Sequence, residues 1–108
     1  MTVRELATAL NCKIVNMPEA EREITGGYCG DLLSWVMGRA NSGDSWVTIM
    51  SNVNVVAVAV LADVACVVLA EGVELDGDAL NKAKTEGVNV ISSQMNAFAL
   101  SAKISELI

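Results

Sequence analysis

From Val55 to Ala70 every position except Asp63 is apolar, and this run constrains the chain more than any other feature. With 16 residues and a carboxylate in the middle, it is shorter than the ~20 residues that cross a bilayer, so it reads as buried core. Val55-Val56-Ala57-Val58-Ala59-Val60 is rich in β-branched residues, and propensity alone would make it a strand. Length argues otherwise. Starting from Val53, one strand would be about three times the usual length, and no Gly, Pro or Asn lies near Leu61 to turn a hairpin. The reading that fits is a helix from Val53 to Ala62, capped by Asn52 or Asn54, which passes through Asp63 as a polar joint into a strand from Val64 to Leu69. A helix that is apolar all round must be covered on more than one side, by other helices or by another chain. Val55, Val58 and Ala59 are therefore candidate interface positions, together with Trp35, a residue type enriched where proteins meet.

The flanking segments suggest alternating elements. Thr2 with Glu5 three residues later is a capping-box pattern, and Val3, Leu6, Ala7 and Leu10 share one helical face, with Asn11 as a left-handed stop. Cys12 to Val15 is a short strand, Met17 to Glu21 breaks regular structure around Pro18, and Ile24 leads into a loop at Thr25-Gly26-Gly27. Asp31 is placed to cap a helix with the stripe Leu32, Leu33, Val36, Met37 and Ala40. Asn41 to Asp44 is a turn, and Trp46 to Met50 a strand. After Glu71-Gly72, a short helix opens at Asp76 or Asp78, turns Leu80 and Ala83 inward and ends at Gly87. A strand from Val88 to Ile91 follows, and Ser92-Ser93 caps a last helix, about Gln94 to Leu107. From Trp46 onward the order is β-α-β-α-β-α, which predicts an α/β fold: one compact domain over residues 1–108, a mainly parallel sheet with helices on its faces.

Several chemistries are excluded by composition. The chain has no histidine, which removes Ser-His and Cys-His nucleophilic pairs and His-ligated zinc. Its formal charge of -6 leaves no electrostatic footprint for nucleic acid. Cys12, Cys29 and Cys66 are too widely spaced for a metal or iron-sulfur motif and read as reduced, buried thiols. The acidic cluster of Glu71, Glu74, Asp76 and Asp78 lacks calcium-loop spacing and reads as a solvated loop. Met1 to Leu10 has neither the basic start nor the apolar stretch of a signal peptide, so the expected location is the cytoplasm. No metal or cofactor is expected.

Two groups of residues remain as candidates for binding. Thr25-Gly26-Gly27-Tyr28-Cys29-Gly30-Asp31 concentrates glycine ahead of a helix, where exposed N-H groups can hold an anion. The Walker spacing and its Lys-Ser or Lys-Thr pair are absent, which excludes a nucleotide-hydrolysing P-loop. The plainer reading is that the glycines let the chain turn tightly against a neighbouring strand. Loops that follow parallel strands form the second group, because ligands bind at that edge of such sheets. Together the groups nominate Thr25, Gly26, Gly27, Ser51, Asn52 and Ser92 as a site for a small polar or phosphorylated metabolite, a nucleotide among them. The serines and Asn52 serve equally as helix caps. Neither group supplies an acid-base pair.

Glu21-Arg22-Glu23-Ile24-Thr25-Gly26-Gly27-Tyr28-Cys29-Gly30-Asp31-Leu32-Leu33-Ser34 resembles the signature of the DRTGG domain family, with Glu21 where the family has aspartate. Val47-Thr48-Ile49, Asn54 to Ala59 and Ala83 to Val88 are similar to the family as well, so the resemblance covers almost the whole chain. It implies a fold akin to the amino-terminal domain of HPr kinase/phosphorylase. It also implies a regulatory or dimer-forming role of the kind such domains have beside CBS domains in regulated pyrophosphatases and in some phosphotransacetylases. Small standalone members are often encoded near iron-only hydrogenases in anaerobes. The resemblance thus points to a homodimeric regulatory domain, with a purely structural dimerisation module as the alternative. A kinase activity borrowed from HPr kinase does not transfer without a P-loop.

Overall fold

The computed structural model describes residues 1–108. In chain order the elements are α1 (Val3–Ala9), β1 (Lys13–Asn16), β2 (Gly26–Cys29), α2 (Leu33–Arg39), β3 (Asp44–Thr48), α3 (Val53–Ala62), β4 (Cys66–Leu69), α4 (Gly77–Glu86), β5 (Val90–Ser92) and α5 (Ala97–Leu107). They build a five-stranded sheet in the order β1-β5-β4-β3-β2. β2 to β5 are mutually parallel, and β1 closes the far edge antiparallel to β5, with a register shift between Ile14 and Asn16. The mainly parallel α/β architecture expected from the sequence is the one found.

The long apolar run folds as its length requires. α3 spans Val53–Ala62, Asn52 caps it by accepting from the Asn54 N-H, and Asp63 ends it in the left-handed conformation at φ 57°. β3 and β4 are buried at every position because helices cover both faces of the sheet. On one face α2, α3 and α4 contribute Val36, Val55, Val56, Ala79 and Ala83, which pack on Trp46, Val67, Leu69 and Val90. On the other, α1 and α5 bring Val3, Leu6, Leu100 and Ile104 onto Val47, Cys66, Val68 and Ile91. Alternate residues of each strand thus feed different cores. The Thr2–Glu5 capping box forms at α1, Asn11 is left-handed, and Gly87 terminates α4 at φ 71°.

Four expectations need correction. Gly26 and Gly27 lie inside β2, not in a loop. Asp31 does not cap α2: its Oδ1 accepts from the Thr48 hydroxyl at 2.8 Å and the Ile49 N-H at 3.0 Å, and α2 starts after Leu32 with no side-chain cap. α5 begins at Ala97 under an Asn96 cap because Ser92 is held in β5, while Ser93 Oγ accepts from the Met95 N-H in the turn that follows. Val55, Val58 and Ala59 are 0%, 7% and 2% exposed, filled in by α2, α4 and the sheet, so they cannot face a partner. Those three positions of α3 are consumed within this chain, while Val53, Val60 and Leu61 of the same helix stay exposed.

Candidate functional site

The signature stretch runs along the edge of the sheet where the parallel strands begin. Leaving β1, the chain crosses beneath β5 and β4 to reach β2 at the opposite edge, and hydrogen bonds fix it at each step. Asn89 holds Glu19 from both sides, accepting from its N-H at 2.9 Å and donating to its carbonyl at 2.8 Å. Arg22 then grips the joint after α3: Nη1 donates to Asp63 Oδ1 at 3.0 Å and Nη2 to the Asp63 carbonyl at 2.8 Å. Ser42 Oγ donates to Asp63 Oδ2, and the Gly43 N-H to the Asp63 carbonyl at 2.9 Å. The Thr25 N-H closes the circuit on the Gly43 carbonyl at 3.0 Å. Asp63 is therefore the hub of a clasp, and this accounts for a carboxylate in the middle of the apolar run. Glu21 pairs with Arg4 at 2.6 Å, leaving Arg22 free for Asp63.

Glycine is needed here for clearance. A Cβ on Gly43, at φ 86°, would collide with Thr25 Oγ1, and one on Gly26 would sit 2.7 Å from Asp44 Oδ1. Asp44 is itself occupied, accepting from the Asn41 N-H at 2.7 Å.

Hydrogen bonds from Ser42 and then Arg22 hold the Asp63 carboxyl below its ordinary value of 3.8. The folded state therefore binds this proton more weakly than the unfolded chain, so the contribution is complete above pH 4 to 5 and is lost as pH falls through the folded value. Because the Asp63 side chain is 61% exposed, the contribution is small and screened by salt. In urea melts, the stability difference between the wild type and Asp63→Asn is expected to shrink below about pH 4. A difference that stays constant into stronger acid would contradict the clasp.

The six nominated binding residues do not converge. Thr25, Gly26 and Gly27 lie where the parallel strands start, whereas Ser51, Asn52 and Ser92 lie where they end. From Asp44, which pairs with Gly26, to Ser51 is roughly 20 Å along the strand direction. Asn52 Oδ1 is engaged as the α3 cap. The two groups separate because β2 starts at Gly26; the loop after it is Gly30-Asp31, and the sequence signal for that was the alternation through Tyr28, which packs on the α3 side.

A cavity of about 250 Å³ lies between β2 and α5, lined by Gly27, Cys29, Ser45, Val47, Ser101 and Ile104 among others. The Ser101 hydroxyl is buried there without a partner. Cys29 is exposed at its rim, contrary to the expectation of a buried thiol, whereas Cys66 is buried and its pKa is pushed up to about 12 by desolvation. No group of three His, Cys, Asp or Glu residues is placed to hold a metal. On the opposite face α2 buries only Val36. Leu32, Trp35 and Met37 are 58%, 51% and 46% exposed, and the Arg39 guanidinium stacks 3.7 Å from the centre of the Trp35 ring.

A three-layer α/β/α domain, clasped at Asp63 and open along the β2 edge, is the class that this fold and site define. The chain belongs to the DRTGG domain family, which matches residues 5–107. Among solved structures it is similar to the CBS and DRTGG domains of the regulatory region of Clostridium perfringens pyrophosphatase, complexed with the activator diadenosine tetraphosphate. The TM-score is 0.72 at 13% identity, over 94% of this chain and 44% of that one, a likeness of fold. A search of curated proteins found no match. No helix is long and apolar enough to cross a membrane.

Proposed function

We propose that residues 1–108 act as a single non-catalytic regulatory domain in the cytoplasm, which forms a homodimer and senses a small polar or phosphorylated metabolite such as a nucleotide. The observation that carries the assembly is the apolar surface left uncovered around α2, where Leu32, Trp35 and Met37 stay in solvent although the rest of the sheet is covered on both faces. Such a patch marks an interaction surface. Family membership supports a regulatory role, and so does the pyrophosphatase regulatory region, whose structure contains an activator. By its resemblance to standalone members, this reading would set the regulation in hydrogenase-linked anaerobic metabolism. The metabolite is assigned to the strand ends at Ser51, Asn52 and Ser92, the edge where parallel sheets bind ligands.

Light scattering at micromolar concentration is expected to give twice the 11.3 kDa of one chain; a clean monomer would remove the dimer. In a thermal-shift panel of nucleotides and acyl phosphates, a true ligand at a hundred times its Kd should add about 2.7 kcal/mol. Silence across the panel in a dimeric protein would leave a purely structural module.

A further inference from the structure

We infer that the second copy docks on the open edge of β2, antiparallel to its own β2, so that two five-stranded sheets join into one. This rests on the homodimer reading and names its surface. β2 is hydrogen-bonded on one side only, to β3. Gly30 N-H donates to Val47 O at 3.1 Å and Gly26 O accepts from Ser45 Oγ, which directs even-numbered backbone groups inward. By the strand's alternation, the N-H and C=O of Gly27 and Cys29 face outward.

The two edges of the sheet are treated differently. β1 carries Lys13 and a register shift, devices that discourage another strand from adding. β2 is Gly-Gly-Tyr-Cys, without charge, proline or bulge. Two copies each carrying a charge of -6 can meet there without opposing like charges.

The edge is also self-complementary. With a two-fold axis through Tyr28, Gly27 of one chain pairs with Cys29 of the other, and the outward groups form four reciprocal hydrogen bonds. Each Cys29 side chain then stands opposite a residue with none, on the face where Gly27 and Cys29 flank the 250 Å³ cavity. Ile108, exposed at the end of α5, lines the cavity with Gly27 and Cys29 beside this edge. Pairing brings it toward its symmetry mate.

Two variants test this in the full chain. Cys29→Pro removes an outward N-H that makes no bond within the chain, and should weaken the dimer about a hundredfold by sedimentation while circular dichroism stays as in the wild type. Gly27→Cys places a thiol opposite Cys29 of the other copy, at a separation a disulfide can bridge. On oxidation it should give a covalent dimer whose cross-link maps to positions 27 and 29, whereas the wild type, with its Cys29 pair on the diagonal, should not cross-link. A monomeric wild type overturns both this inference and the homodimer reading. A dimer that Cys29→Pro leaves intact and Gly27→Cys does not cross-link overturns the β2 edge alone. If Cys29→Pro fails to fold, the cross-link decides.

Discussion

Replacing Trp46 with alanine is expected to destabilise the domain by about 3–5 kcal/mol, the usual range for removing a buried tryptophan. Its side chain is fully buried and packs in the core beneath α2 and α3. It also donates from Nε1 to the Gly30 carbonyl at 2.9 Å, securing the end of β2. Alanine would open a large void and leave that carbonyl with one bond fewer. For a domain whose total stability is about 5–15 kcal/mol, this is a large share. The urea midpoint should fall by about 2 M, and Trp35, left as the only indole, would report a solvent-exposed emission even in the folded state. Trp46→Phe keeps most of the apolar volume and should lose much less. A Trp46→Ala protein with a wild-type midpoint would show that the core does not depend on this residue.

Asn89→Ala is the second large effect, expected at about 2–3 kcal/mol. Asn89 is 2% exposed and uses both ends of its amide. Oδ1 accepts from the Glu19 N-H, and Nδ2 donates to the carbonyls of Glu19 and Ala65, the latter at 3.0 Å. A single side chain thus joins the segment leaving β1 to the starts of β4 and β5. Alanine would remove all three bonds, and water reaches only the exposed Glu19 end. Hydrogen exchange should quicken first at the Glu19 amide and next at Arg22 and Thr25, with the amides of β3 and β4 nearly unchanged. Uniform acceleration across the chain would mean that Asn89 contributes only to global stability.

Most of the architecture was legible because its strongest constraint was length. Propensity alone favours a strand for the valine-rich run, yet the run from Val53 is too long for one strand and has a polar joint at Asp63. The glycine signature was misleading for an opposite reason. Gly26 and Gly27 are poor strand formers, so β2 looked like a loop, and a site was nominated from two ends of the sheet. What keeps β2 extended is its register against Asp44, Ser45 and Trp46, a tertiary partner that local sequence does not display. The interface residues failed similarly: periodicity marked α3 as apolar all round but could not say which side α2 and α4 would cover, and they cover Val55, Val58 and Ala59 while Val53, Val60 and Leu61 stay exposed. Trp35, identified by residue type, is the member of that set found at the surface.

Because Arg22, Thr25 and Gly26 make close contacts at the Asp63 joint and beside it, changes at these positions are expected to lower the fraction of molecules that stay folded. In a cell such changes would lower the amount of protein before they altered what each molecule does. An assay that scores only the response would mistake that shortage for lost recognition, and normalising the response to the protein level separates the two.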